Sequence, residues 1–497
     1  MSVTGVGGRS SLIVQSLSDM RAQLDEMQRQ LGTGQKSTTY AGLGSSRGLT
    51  VGLRSQLSAM TGYSDTITNV GVRLSLQQNA VAGMIDIAGK VKTAAQIQFN
   101  IDATGQSAAQ RTASGQLDQI LSLLNTQSGD RYLFSGRATD QPATGSLDEI
   151  MNGDGGRAGF KQVMAERNQA DLGANGLGRL VIPPAAGSLV TVSEDVAGSP
   201  FGLKLASVST LNGATVTGPT GSPPGISVNF TSNPAAGDAI KFSFALPDGT
   251  SEQVTLTATT NSPPAAGEFT IGAAPAATAA NFQAALNTSV GKLAATSLSA
   301  ASAMAAAHDF FDVGVGQPPM RVSGSPATAT ALVAGTAANT VTWYTGEMGT
   351  DSARGTAVAQ VADSLTVAYG ARANEQGITN TIKNIAVFAA TTYSASDPNA
   401  AARFTAVNQR VSTGLIGTNG QQQLTDIQSE LAYAQTTMSS ATQRQQQKKA
   451  TLENLLQGIE QVSPDQVASQ ILALQTQLQA SLQTTAMLYR LSIVNYI

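Results

Sequence analysis

The sequence contains no cysteine, and this absence excludes disulfides, zinc–thiolate sites and thiol nucleophiles. It has a single histidine, His308, so that histidine triads, multi-histidine metal sites and haem ligation are not expected. Charged residues make up only 12% of the chain and aromatic residues 5%, which is low for a compact enzyme. Gly, Ala, Ser, Thr and Gln are abundant instead. This composition is typical of extracellular or fibrous proteins that gain stability from assembly.

Long apolar runs and strong net charge are also missing. The net charge is −3 over 497 residues, which predicts no nucleic-acid-binding surface. No stretch reaches the roughly 20 consecutive apolar residues of a membrane-spanning helix, and no membrane insertion is expected. Residues 1–8 lack a charged segment followed by an apolar one. Export, if it occurs, is therefore expected to proceed without a cleaved signal peptide.

Heptad patterns dominate both ends of the chain. Residues 10–31 carry apolar residues in 3-4 spacing, typical of a coiled-coil seam, and Gly32 is expected to end that helix. Residues 46–100 predict a long helix in which every seventh position from Leu53 to Ala95 is apolar. A weaker second row is expected at Leu57, Ser64, Gly71, Gln78, Ile85, Lys92 and Phe99.

The C-terminal end shows the same kind of pattern in the opposite order. Residues 421–462 carry two rows that are apolar except at Gln445 and Lys448, and Ser463-Pro-Asp-Gln466 predicts a capped start for a last helix. The two ends are approximate mirror images. They predict a long antiparallel coiled coil or helical bundle formed by both termini.

The middle of the chain has a different pattern. Ile240, Phe242, Phe244 and Leu246 alternate before Pro247-Asp-Gly249, which predicts a β-hairpin. Four shorter signals predict helices. A capping box at Ser107–Gln110 and the pair Asp397-Pro398 each predict the first residues of a helix. Apolar faces predict two more, one on Phe282, Leu286 and Val290 and one on Val358, Val361, Leu365 and Ala368.

These signals predict an α+β protein of three parts. Residues 1–45 and 463–497 are expected to form terminal coiled-coil assembly segments, and residues 46–140 and 350–462 a helical bundle domain. Residues 141–349 are expected to form a β-rich variable insert of one or two subdomains.

No catalytic, cofactor-binding or metal-binding residues are predicted. Gly32-Thr-Gly-Gln-Lys-Ser37 departs from a phosphate loop because Gln35 separates glycine from lysine. His308 beside Asp309 is interpreted as a packed or surface residue rather than an acid–base pair. The predicted functional residues are instead those of a subunit interface: Leu17, Met20, Leu24, Met27, Leu31, Leu424, Ile427, Leu431, Met438, Leu452, Leu455, Ile459, Val467, Ile471, Leu474, Leu478, Leu482 and Leu488.

Four features, in order along the chain, carry a family resemblance. Heptad termini frame a variable middle; Leu31-Gly-Thr-Gly-Gln-Lys36 follows the first helix; Tyr132-Leu-Phe-Ser-Gly136 precedes Thr139 and Pro142; and Leu491-Ser-Ile-Val-Asn-Tyr-Ile497 ends the chain. Together they resemble the bacterial flagellin superfamily, most closely the hook-associated protein 3 family of hook–filament junction proteins. The resemblance covers residues 1–145 and 350–497. Residues 37–50 depart from the family pattern because they contain no acidic residue.

The resemblance implies a non-enzymatic structural subunit of the bacterial flagellum, an adaptor ring at the hook–filament junction. Its expected partners are further copies of itself in a ring or tube, a neighbouring hook-associated protein, flagellin and a cytoplasmic export chaperone. Its expected location is extracellular. Flagellin, the main filament subunit, is one alternative, and an extracellular coiled-coil adhesin is another. The seams could also be the core of a monomeric helical hairpin. A charge at Leu431 or Leu452 is expected to block assembly without unfolding the middle domain.

Overall fold

The computed structural model describes residues 5–417 and 420–494, with the side chains of residues 11–417, 420–487 and 490. The fold is α+β, as predicted. Its helices are α1 (Gly5–Thr33), α2 (Arg47–Ala94), α3 (Ala108–Leu124), α4 (Leu147–Asn152), α5 (Phe160–Leu172), α6 (Pro275–Leu293), α7 (Ser299–Phe311), α8 (Gln376–Ala390), α9 (Ala400–Ile416), α10 (Leu424–Glu460) and α11 (Pro464–Val494).

The strands fall mostly between α5 and α8. They are β1 (Gln127–Ser128), β2 (Arg131–Tyr132), β3 (Leu180–Val181), β4 (Leu189–Glu194), β5 (Lys204–Val208), β6 (Ala214–Thr220), β7 (Gly225–Phe230), β8 (Ala239–Ala245), β9 (Ser251–Thr259), β10 (Glu268–Thr270), β11 (Met320–Val322), β12 (Leu332–Ala334), β13 (Val358–Ala362) and β14 (Leu365–Ala368). Two four-stranded sheets have the orders β3-β4-β7-β6 and β10-β9-β8-β5. Pairs β1-β2, β11-β12 and β13-β14 form two-stranded sheets.

The chain folds into two compact units. Unit 1 comprises Met1–Asn69, Gln360–Thr366 and Thr436–Ile497, and unit 2 comprises Val70–Ala359 and Val367–Gln435. Unit 2 therefore contains the predicted insert, residues 141–349, together with much of the predicted helical bundle domain. Both chain ends belong to unit 1.

The two four-stranded sheets of unit 2 share one apolar core with α6. Alternate residues of β8 enter it, with Phe242 and Phe244 fully buried. The predicted hairpin is confirmed: β8 pairs with β9 in antiparallel register, and Gly249 closes the turn at a φ of +82°, which favours glycine. The predicted helix through Phe282 is also confirmed, since that residue lies in α6 and packs in the same core.

The predicted capping box at the start of α3 is present. The Ser107 hydroxyl accepts a hydrogen bond from the Gln110 backbone N–H at 3.2 Å, and the Gln110 side chain accepts one from the Ser107 N–H at 2.9 Å. The Gln110 amide also donates to the carbonyls of Phe388 and Thr391, at 3.0 and 2.8 Å. The cap therefore both begins α3 and attaches it to the C-terminal end of α8.

Helix α2 buries its first predicted row but not its second. Within unit 2 the first row is confirmed by Leu74 and Val81, both fully buried. The second buried row lies one position earlier than predicted, at Val70, Gln77, Met84 and Val91. Gln77 is tolerated there because its amide donates to the carbonyl of Leu133 at 3.1 Å.

Two local predictions were wrong. Residues 358–368 form the hairpin β13–β14 instead of a helix, and their β-branched residues and central Asp363-Ser364 favour that structure. Helix α9 begins at Ala400, not at Asp397-Pro398. The Asp397 carboxylate accepts from the Asn399 N–H at 2.8 Å and forms a turn before the helix.

A buried cluster of charged side chains links α5 to α7 in unit 2. Arg167 donates to Asp171 at 2.9 Å and to Asp309 at 2.6 Å, and the Gly202 N–H donates to Asp171 at 2.8 Å. Burial raises the pKa of both carboxyl groups above the usual range, and the Arg167 charge opposes that shift. Arg167 therefore compensates two buried carboxylates at neutral pH.

Candidate functional site

The two chain ends are joined side by side in unit 1. Helix α1 packs along α11, and Gln35 and Gln461 form an antiparallel bridge between the segments that follow α1 and precede α11. The Lys36 N–H donates to the Glu460 carbonyl at 2.8 Å. Gly34, at a φ of +70°, follows the end of α1 and takes the terminating role predicted for Gly32, which lies within the helix.

The predicted seam residues of α1 and α11 lie mainly toward packed surfaces. On α11, Val467, Ile471 and Leu474 are buried and Leu478 is half-buried, whereas Leu482 is exposed. On α1, the half-buried seam residues are Leu17, Met20, Leu24 and Met27, and Leu31 is exposed. Leu488 and the ending 491–497 lie outside the described side chains. A two-helix contact has too little surface to bury both seams completely.

The predicted seam of α10 is divided between the units. Leu424, Ile427 and Leu431 are buried in unit 2, and Met438 is buried in unit 1. These side chains already pack within their own chain, so a contact between subunits through them would require that packing to be given up. The fully buried Leu431 is therefore unsuited to a test of assembly, because a charge there is expected to unfold unit 2.

Farther along α10, the packed row shifts by one residue. Leu452 packs with Leu53 and Met60 of α2, and the half-buried Leu456 and Ile459 join that cluster. Leu455 was predicted for the seam, but it is exposed.

Unit 1 exposes as many large apolar side chains as it buries hydrophobic ones. Among the described residues it has ten buried hydrophobic residues and ten large exposed ones, whereas unit 2 has 86 and ten. The exposed set of unit 1 is Leu12, Val14, Leu31, Tyr40, Leu49, Val51, Leu455, Leu472, Leu482 and Met487. Exposed apolar side chains of this size are available for contacts with other chains. This apolar surface of unit 1 is the candidate functional site.

Several members of the apolar surface were not predicted from the sequence. Leu12, Val14, Leu472 and Met487 lie off the heptad rows, and heptad spacing therefore did not indicate them. The available signal was an apolar residue away from the seam of a helix, and it is a weak signal because single exposed apolar residues also occur on monomers.

The single histidine belongs to a charged surface cluster of unit 2. His308 contacts Asp312 at 2.9 Å, and the Lys383 ammonium donates to Asp312 at 2.8 Å. Burial raises the pKa of Asp312, but the bond to His308 and the charge of Lys383 outweigh it and lower that pKa below the usual range. Asp309, adjacent in sequence, contacts Arg167 instead. The cluster is a structural ion pair between α7 and α8.

Two further kinds of site, metal centres and membrane spans, were sought in residues 5–417 and 420–494. These residues contain no group of three or more side chains that could hold a metal ion. None of the described helices combines the length and hydropathy needed to cross a membrane. Comparison with protein-family models, with curated proteins and with solved structures gave no match.

Proposed function

We propose that this chain is a structural, non-enzymatic subunit that works by assembling with other chains through unit 1. The observation that carries the proposal is the equal number of buried hydrophobic and large exposed apolar residues in that unit. Unit 2, in contrast, buries 86 hydrophobic residues in the single chain.

The free energy available from this surface is sufficient for specific contacts. Leu12 is 69% exposed and Leu472 is 65% exposed in the single chain. Burying the remaining surface of one such leucine is worth about 1–2 kcal/mol. Several such contacts per subunit would give a stable polymer even after the entropic cost of association.

The assembly we propose is the bacterial flagellum, with the chain as an adaptor ring at the hook–filament junction. The resemblance of both termini to hook–filament junction proteins supports this. The packing of α1 along α11 supports a role for both ends in one coiled-coil segment. The partners would be a neighbouring hook-associated protein on one side of the ring and flagellin on the other.

Export would require the apolar surface to be covered beforehand. Helix α11 leaves Leu472 and Met487 exposed, a surface that favours self-association in the cytoplasm. A helix-binding export chaperone that covers α11 would prevent this.

The test is to locate the chain in intact hook–filaments by antibody labelling in the electron microscope. A single band at the filament base is expected. Label along the whole filament would make the chain a flagellin and refute the junction role. Absence of label from both places would refute the flagellar proposal and favour the adhesin alternative.

A further inference from the structure

A row of three exposed residues on α10 lies beside a groove of unit 1. Arg444, Lys448 and Leu455 follow one another at spacings of four and seven residues, which places them on one face of the helix. All three are exposed. We call this row the α10 stripe: two cations followed, about 10.5 Å farther along the helix, by one leucine.

The cations of the α10 stripe have no carboxylate partner among the described residues. The neighbouring Lys449 does contact a carboxylate, Glu453, at 3.8 Å, but no ion pair involves Arg444 or Lys448 within the described part of the chain. Both side chains line a groove of about 400 Å³ that is bounded by α2, α10 and the tip of the β13–β14 hairpin, all within unit 1.

The walls of the groove are held in place by their own hydrogen bonds. The Tyr63 hydroxyl donates to Asp363 at 3.0 Å, and the Gln445 amide donates to the Val361 carbonyl. Asp363, the carboxylate that lines the groove, is thereby engaged by Tyr63. The groove is thus lined by two cations together with apolar residues that include Met60.

Helix α1 carries a row of the opposite chemistry. Leu12, Asp19 and Glu26 are spaced seven residues apart, and all three are exposed. The row lies about a third of a turn away from the half-buried apolar residues of α1. Asp19 has no cation partner among the described residues, whereas Glu26 pairs with Arg29. We call this row the α1 stripe.

The two stripes match in spacing only when the helices run antiparallel. On α1, the step from acid to leucine covers seven residues toward the N-terminus, from Asp19 to Leu12. On α10, the step from cation to leucine covers seven residues toward the C-terminus, from Lys448 to Leu455. Both steps measure about 10.5 Å. Leu12 and Leu455 are 69% and 53% exposed, so each has apolar surface left to bury.

We propose that α1 of a second copy of this chain docks antiparallel against α10, with Asp19 at Lys448 and Leu12 at Leu455. Glu26 of the second copy then comes within reach of Arg444, because the long arginine side chain spans the difference of about 4.5 Å between the two spacings. The inference rests on the proposed function and specifies one contact between neighbouring subunits.

The absence of cysteine allows a direct test by cross-linking. Two single variants, Asp19→Cys and Lys448→Cys, are produced together in cells, and the assembled filaments are isolated and oxidised. A disulfide-linked dimer containing one copy of each variant is expected on non-reducing gels. The matched control replaces Asp19→Cys by Asp25→Cys, the other acid of α1 without a partner in the described structure, which lies on the opposite flank of that helix. It is expected to give at least tenfold less dimer.

Charge exchange provides a second measurement that does not depend on disulfide geometry. Asp19→Lys or Lys448→Asp alone is expected to lower incorporation into filaments on the order of tenfold, and the two together to restore it. The wild-type chain could enter filaments while the two cysteine variants give no disulfide-linked dimer and charge exchange gives no rescue. That result would overturn the α1–α10 contact and leave the assembly role standing. A wild-type chain that is absent from filaments and remains monomeric would overturn both.

Discussion

Leu472 and Leu474 lie two positions apart on α11, on roughly opposite faces, and replacing each by alanine should separate assembly from folding. Leu474 is only 8% exposed and lies on the packed face of the helix, whereas Leu472 is 65% exposed. In Leu474→Ala, the lost burial and the remaining cavity should lower the free energy of unfolding of unit 1 by about 2–3 kcal/mol. In Leu472→Ala, the change should stay within about 0.5 kcal/mol, because little packing is lost.

For assembly we expect the opposite order, with the larger effect from Leu472→Ala. The exposed surface of Leu472 offers about 1–2 kcal/mol on burial against a neighbouring subunit. Its removal should raise the concentration needed for assembly about 5- to 30-fold. The monomer of this variant should keep the helical circular dichroism of the wild type.

The measurements are denaturant unfolding of the monomer, followed by helical circular dichroism, and sedimentation of assembled material over a range of concentrations. Equal destabilisation by both variants would show that the face of α11 assigned to the packed side is wrong. Unchanged assembly of Leu472→Ala would refute the claim that the apolar surface of unit 1 forms subunit contacts at that position.

Two further variants test unit 2. Arg167→Leu should destabilise it by about 3–5 kcal/mol at pH 7, because Asp171 and Asp309 are left buried without their cation. The pKa of both carboxyl groups is raised in the folded state, so they bind protons more readily there than in the unfolded chain. The loss of unfolding free energy in the variant should therefore shrink as the pH falls from 7 toward 5. A pH-independent loss in urea titrations would contradict this. Gly105→Ala should lower the melting temperature markedly, because the new Cβ would lie 2.4 Å from the Tyr393 carbonyl oxygen; Gly129→Ala, also at positive φ but with no atom within 4 Å of its Cβ, should do so much less.

Local signals predicted much of the fold because they depend on neighbours in sequence. The capping box at Ser107 and the Pro-Asp-Gly turn at 247–249 were located correctly, since their hydrogen bonds span only a few residues. Heptad spacing likewise predicted α10 and α11 and the first buried row of α2.

Predictions failed where a distant part of the chain decides the outcome. The second row of α2 includes Gln77, which periodicity of apolar residues cannot identify, because its burial depends on the Leu133 carbonyl. Residues 358–368 have apolar positions compatible with either a helix or a hairpin, and tertiary contacts select the hairpin. The exchange of Leu455 for Leu456 in the packed row of α10 depends on where α2 lies.

Periodicity and turn chemistry are local properties, and they were enough to predict the α+β class, the heptad helices at both ends and the hairpin-containing middle. Which seam residues are exposed depends instead on tertiary packing. Leu424, Ile427 and Leu431 have the same spacing as the α11 seam, yet they are buried within unit 2. Leu12 and Leu472 lie off the predicted seams, and in the single chain they are exposed. Burial depends on which surfaces meet in three dimensions. A repeat in the sequence specifies only that one face of the helix is apolar, not what that face packs against.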